Sequence, residues 1–119
     1  MKVRCIKLLD ANGAPVHSSP WLRVGAVYHV LALSVDDGRG KLRLIGDLPT
    51  PALFDLEMFE IVSSRIPTSW VVTSPAPGCV YVEPEAWSEP GFWVRFFDGD
   101  AQAAKVFEDE RARIEAIEP

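Results

Sequence analysis

Residues 26–46 read AVYHVLALSVDDGRGKLRLIG, and this stretch decides the fold of the chain. Residues 26–35 are rich in valine, leucine and tyrosine, a composition that predicts one long β-strand. The Asp-Gly pair at residues 37–38 supplies the positive φ angle that a tight hairpin turn requires. Residues 41–46 then alternate leucine with basic side chains, which predicts a returning strand with one buried face.

Shorter patterns of the same kind lie on either side of this hairpin. Residues 3–9 begin as an alternation of apolar and charged side chains, which predicts a half-buried strand. The turn residues 10–13 end this strand. Residues 52–54 are predicted to be short and extended, and residues 55–59 to form a single helical turn. Residues 59–62 close the set as a further strand, so the first half of the chain is predicted to be all β.

The second half combines a hairpin with helices. Residues 70–73 and 79–82 flank a Pro-Ala-Pro-Gly turn, which predicts a second β-hairpin. Asp100 is a favourable N-cap and predicts a final helix over residues 101–117. The apolar positions of that helix recur near the helical period at Ala103, Val106, Phe107, Ile114 and Ile117.

The spacing Leu22-x-x-Gly25-x-x-Tyr28-x-Val30-Leu31, the acidic hairpin, the alternating strand and the closing Phe59-Glu-Ile-Val62 together resemble a known pattern. Residues 2–62 resemble the small SH3-like β-barrels of bacterial and phage proteins. This resemblance implies an α+β fold in which residues 1–62 form an SH3-like barrel of about five strands. Residues 63–119 are then a hairpin with two or three helices packed on the barrel, sharing its core in one compact domain.

The segments Ile66-Pro-Thr-Ser-Trp70 and Pro90-Gly-Phe-Trp-x-x-Phe-Phe-Asp-Gly-Asp100 carry a second resemblance. They are similar to small immunity-like or accessory proteins of bacteria. That similarity implies a protein that binds another protein and has no catalytic activity.

Composition points to a folded chain outside the membrane. Its 119 residues are 48% hydrophobic and 24% charged, which is ordinary for a globular domain. Charges at residues 2, 4 and 7 interrupt any signal-peptide core, and no apolar run approaches the length of a membrane span. We therefore expect a soluble, cytoplasmic protein.

The net charge of −5 is distributed unevenly along the chain. Residues 1–50 carry a net charge of +3 and residues 51–119 a net charge of −8. The acidic half disfavours nucleic-acid binding, which depends on basic side chains. It favours a basic protein partner, whose association complementary charge would accelerate.

Residues 87–97 concentrate five large aromatic side chains. On a helix, those from residue 92 onward share one broad apolar face. That face either completes the core or leaves two tryptophans exposed to anchor a partner. Likewise, the neighbouring carboxylates form either a solvated face or a negative docking patch. The candidate partner-binding residues are Trp87, Phe92, Trp93, Asp98, Asp100, Glu108 and Asp109.

The leading hypothesis is a non-enzymatic protein-binding protein, such as an immunity-like inhibitor of a basic toxin or an accessory protein. The alternative is a regulatory SH3-like module that binds peptide or nucleic acid through Arg39, Lys41 and Arg43. A third hypothesis, a small enzyme using His29 and Cys79, has no catalytic motif behind it.

No cofactor, metal or catalytic residue is expected. The Asp98-Gly-Asp100 segment lacks the other ligands of a calcium loop. Cys5 and Cys79 do not have metal-site spacing, and we expect both to be buried free thiols in strands, although the sequence leaves a disulfide open.

Overall fold

Two antiparallel sheets and a C-terminal helical segment make up the fold, described over residues 1–119 by a computed structural model. The strands are β1 (Lys2–Cys5), β2 (Val27–His29), β3 (Ala32–Asp36), β4 (Arg39–Leu44), β5 (Ala52–Asp55), β6 (Phe59–Ser63), β7 (Trp70–Thr73) and β8 (Cys79–Pro84). The helices are α1 (Phe92–Phe97) and α2 (Ala101–Ile117), with 3₁₀ turns at Leu56–Met58 and Glu85–Trp87. The mixed α+β class is therefore as predicted.

One sheet has the strand order β2–β1–β6 and the other the order β5–β4–β3–β8–β7. Both predicted hairpins are confirmed, as β3 pairs with β4 and β7 with β8. Asp37 and Gly38 turn the first hairpin with φ angles of 53° and 78°. Two consecutive positive φ angles are the geometry that suits the right-handed twist of the flanking strands.

The single strand predicted over residues 26–35 is wrong, because the chain changes sheets in the middle of it. The Val30 N–H donates to the Met1 carbonyl, whereas the Leu31 N–H donates to the Arg43 carbonyl, at 2.9 and 2.8 Å. Both side chains are buried. Adjacent buried residues cannot lie on one face of a strand, since side chains alternate between faces. This run therefore crosses from β2 in one sheet to β3 in the other.

Neither sheet closes on itself, so the SH3-like barrel expected from residues 2–62 is not confirmed. The side of β3 that does not pair with β4 pairs with β8, which belongs to the second half of the chain. The hairpin of residues 70–84 is thus continuous with the larger sheet. It does not form a separate layer on a finished barrel.

The core lies between the two sheets and α2. Helix α2 has the predicted bounds, and the Asp100 carboxylate accepts a hydrogen bond from the Gln102 N–H at 2.9 Å, as expected of an N-cap. Ala103, Phe107 and Ile114 are buried as predicted, whereas Ile117 is exposed near the helix end. Neither helix combines the length and apolar character that crossing a bilayer would require.

Candidate functional site: a groove between the larger sheet and helix α1

A groove of about 540 Å³ lies between one face of the larger sheet and residues 87–94. The sheet wall is built in register: Arg43 of β4 is paired with Leu53 of β5, and Ser34 of β3 with Tyr81 of β8. The other wall is the 3₁₀ turn and the start of α1. The volume falls within the range of about 300–1,000 Å³ that is usual for ligand sites.

The alternation of β4 explains why a charged side chain enters this groove. Leu42 and Leu44 are fully buried in the core, so Arg43 between them points to the opposite face of the sheet. From sequence that face was expected to be solvated. Helix α1 covers one end of it, held in place by the buried Trp87 that precedes it.

Arg43 is stacked on an aromatic ring. Its guanidinium carbon lies 3.8 Å from the centroid of the Trp93 ring, well inside cation–π range. Burial lowers the pKa of Arg43, and the nearby Glu83 and Tyr81 partly oppose that effect. The guanidinium stays charged at neutral pH because its ordinary pKa is so high.

Glu83 is the one buried charged residue of the chain, with 7% of its surface exposed. Burial raises the pKa of its carboxyl group, while Trp93 and the charge of Arg43 oppose the shift. No basic side chain forms an ion pair with it. The groove therefore holds a desolvated acid beside a desolvated base that does not contact it closely.

Three adjacent strands add hydroxyl groups to the same wall. Ser34, Tyr81 and Thr73 form one row across β3, β8 and β7, and all three line the groove. None of these hydroxyls makes a hydrogen bond within the protein. Ser88 also lines the groove, but its hydroxyl already donates to the Glu85 carbonyl at 2.6 Å.

The structure brings the three predicted aromatic residues together, mainly as core. Trp87 and Phe92 are only 1% and 2% exposed, and the Trp87 ring stacks on Phe107 at a centroid distance of 4.9 Å. Trp93 is partly buried and contacts both other rings. Trp93 is thus the member of the set that offers a surface, while Trp87 and Phe92 fix its position.

The four predicted acidic residues lie elsewhere, since none of them lines the groove. Three of these acids form ion pairs: Asp100 with Arg95 at 3.8 Å, Glu108 with Arg111 at 3.6 Å, and Asp109 with Lys105 at 2.9 Å. Asp98 is exposed at the end of α1 and makes no ion pair. The acidic side of α2 is therefore largely balanced by its own basic residues.

The remaining sequence candidates are spread over the molecule. Arg39 and Lys41 share the face of Arg43, but the register sets them opposite Asp36 and Asp55. This leaves no uninterrupted basic stripe on β4.

His29 and Cys79 lie in different sheets and have different partners. The His29 ring hydrogen bonds to the Glu118 carbonyl oxygen, and the Cys79 thiol to the Asp36 carboxylate at 3.3 Å. That hydrogen bond raises the pKa of the Cys79 thiol. Both cysteines are free. Cys5 is buried in β1, whereas the burial expected for Cys79 is wrong, since it is only partly buried in β8.

The sequence patterns did not connect Glu83 with Arg43. Their alternation with apolar neighbours was a usable signal that both side chains leave the core. It carried no information on which segment would cover them.

No protein-family model matches the chain, and no curated protein or solved structure matches it significantly. The functional proposal therefore rests on the chemistry of the groove and its surroundings.

Proposed function

We propose that this chain is a non-enzymatic protein-binding protein, an immunity-like inhibitor or accessory protein, that receives part of its partner in the groove. The observation that carries the proposal is Arg43, held on Trp93 in an open groove without a protein partner for its charge. Arginine, tryptophan and tyrosine are the residues that most often dominate protein interfaces, and all three line this groove.

An apolar surface continues outward from the groove along α1. Val94 lines the groove and is 67% exposed, and Phe97, packed against Trp93, is 55% exposed. Exposed aromatic and aliphatic side chains beside a groove are the usual centre of an interface, because burying them removes apolar surface from water. We propose that the partner covers both residues.

Unpaired carboxylates within residues 85–98 support a basic partner. Glu85, Glu89 and Asp98 are exposed and form no ion pair, unlike most of the acids of α2. Glu89 also lines the groove. Basic side chains of a partner would contact these carboxylates and accelerate association, an effect that salt weakens.

The SH3-like resemblance of residues 2–62 remains part of this proposal, supported by the antiparallel pairing of neighbouring strands in β1 to β6. A regulatory module that binds a peptide is the second candidate, and it is favoured by the same groove. Asp36 and Asp55 beside Arg39 and Lys41 weigh against its nucleic-acid form.

The test is affinity capture from a lysate of the source cells with the tagged protein, elution with rising salt and identification of the eluted proteins by mass spectrometry. Val94→Ser is the informative variant, and Val24→Ser is its matched control, because Val24 is a comparably exposed valine (60%) that does not line the groove. We expect the wild-type chain and Val24→Ser to retain a basic protein that Val94→Ser and Phe97→Ser lose. Equal retention by all four proteins would show that the groove is not the docking surface.

A further inference from the structure

Arg43 differs from the other arginines of the chain in how its charge is satisfied. Five arginines form ion pairs with carboxylates: Arg4, Arg23, Arg95, Arg111 and Arg113. Arg39 and Arg65 form none but are exposed to solvent, whereas Arg43 forms none although it is enclosed enough for burial to lower its pKa. Its side chain makes no hydrogen bond within the protein either. A guanidinium carries five N–H donors, so this position holds a large unused capacity for binding an anion.

The stacking geometry keeps those donors available. The Arg43 guanidinium carbon lies over the Trp93 ring, 3.8 Å from its centroid, and none of the guanidinium N–H groups donates to a protein acceptor. The ring also restricts the side chain, so less conformational entropy is lost when a ligand binds. A fixed guanidinium edge matches the two oxygens of a carboxylate in a bidentate pair.

The surroundings favour a single negative charge on an apolar residue. Arg43 is the only basic side chain that lines the groove, and Glu83 lies nearby, so a doubly charged phosphate would be poorly balanced. Apolar neighbours stand on both sides of Arg43: Leu53 beside it in the sheet and Trp93 over its guanidinium. A carboxylate and an apolar side chain carried on one Cα atom would satisfy both environments at once.

We infer that Arg43 binds the C-terminal carboxylate of an apolar chain end, whose last side chain packs against Leu53 and Trp93. This inference rests on the proposed function in one respect, namely that the ligand is part of a protein. The unpaired carboxylates of residues 85–98 and the carboxylate site are compatible, since a basic partner has a carboxyl terminus as well.

Glu83 limits the affinity of this site. Its carboxylate, when ionised, repels a bound carboxylate, and the other charged or titratable groups that line the groove are Arg43 on β4, Tyr81 on β8 and Glu89 before α1. Protonation of Glu83 removes that repulsion. The substitution Glu83→Gln keeps the shape and removes the charge, so it should strengthen binding of a carboxylate at neutral pH.

The experiment titrates the full chain with N-acetyl-leucyl-leucine and with its C-terminal amide, following the Arg43 Nε–H and Trp93 Nε1–H resonances by NMR. We expect the acid to bind at least about tenfold more tightly than the amide, because only the acid forms the charged bidentate pair. Equal binding of acid and amide would overturn the inference. Binding of N-acetyl-glutamyl-leucine amide as tightly as the acid would overturn the assignment to a chain end.

Variants make the test independent of folding failure. Arg43→Lys keeps the charge but loses the planar pair of N–H donors that binds both carboxylate oxygens. We expect binding of the acid to weaken about tenfold. Lys41→Gln removes a neighbouring charge from the same face and should change binding by no more than about twofold, since a solvated charge is screened. Glu83→Gln should bind the acid more tightly, a gain that an unfolded protein cannot produce. Weaker binding by Glu83→Gln would count against the site.

The inference and the proposed function can fail separately. If a protein is captured, Val94→Ser abolishes that capture and the acid probe does not bind, the docking surface stands and the carboxylate site does not. If instead the acid probe binds in a way that depends on Arg43 but no protein is captured, the carboxylate site stands and the docking surface does not.

Discussion

The groove and the outer face of helix α2 both carry charge, but the two regions treat it in opposite ways. On α2, Lys105 pairs with Asp109 one helical turn away, and both side chains are largely in water. In the groove, Arg43 and Glu83 are desolvated and form no ion pair. Each surface pair contributes only about 0.2–0.5 kcal/mol, whereas a buried group without a partner has a larger effect. The number of charges in a segment therefore says little about where charge has a strong energetic effect.

The largest expected effect comes from removing the support of the groove. Phe107→Ala should lower the free energy of unfolding by about 3–5 kcal/mol, because it leaves a cavity under the Trp87 ring that stacks on it. Urea denaturation followed by circular dichroism measures this change. Phe97→Ala is the control, since its exposed ring should cost less than about 1 kcal/mol. Similar losses in both variants would mean that the aromatic cluster has no buried centre.

Glu83 should make the protein more stable in mild acid. Its folded pKa is raised by burial, so between the unfolded and the folded pKa the native state binds more protons. Stability from this group is then present below the unfolded pKa, near 4.5, and is lost as pH rises through the folded pKa. Glu83→Gln should raise the unfolding free energy at pH 7 by about 1 kcal/mol and remove the loss of stability that this carboxyl group causes as pH rises above 4.5. Destabilisation by this variant at pH 7 would show that the carboxylate has a strong partner.

Glu118 should show the opposite pH dependence. Its pKa is lowered by hydrogen bonds from the Ser63 hydroxyl and from the Met1 amino group. Stability from this group is present above its unfolded pKa and is lost as pH falls through the lower folded value. Glu118→Gln should therefore lower stability at pH 7 and reduce the loss on acidification below about pH 4.5. Thermal melts of both glutamine variants over one pH series would separate the two glutamates by sign.

The smallest effect is expected on the outer face of α2. Asp109→Asn removes the ion pair with Lys105 and should lower the unfolding free energy by about 0.2–0.5 kcal/mol. The difference from wild type should shrink at high salt, because salt screens the ion pair. Partner capture should be unaffected. A marked loss of capture by this variant would move the docking surface from the groove to the acidic helix, as the sequence candidates Glu108 and Asp109 suggested.

Local signals in the sequence identified several elements of the fold. The Asp-Gly turn specified the β3–β4 hairpin through its positive φ angles, and the Asp100 cap with its apolar periodicity specified α2 from residue 101 to residue 117. These features depend on neighbours in the chain. The crossing between sheets at Val30 and Leu31 was not visible, because a run of strand-forming residues reads the same whether it pairs with one sheet or with two.

Composition and periodicity alone thus determined the α+β class, the two hairpins, the capped final helix and the fact that Arg43 leaves the core. Only the tertiary structure decided that β8 joins β3, that α1 covers that face, and that Arg43 rests on Trp93 beside Glu83. The physical reason is that turns, caps and alternation follow from interactions between residues close in sequence. The desolvation of a charge depends instead on which distant segment packs over it.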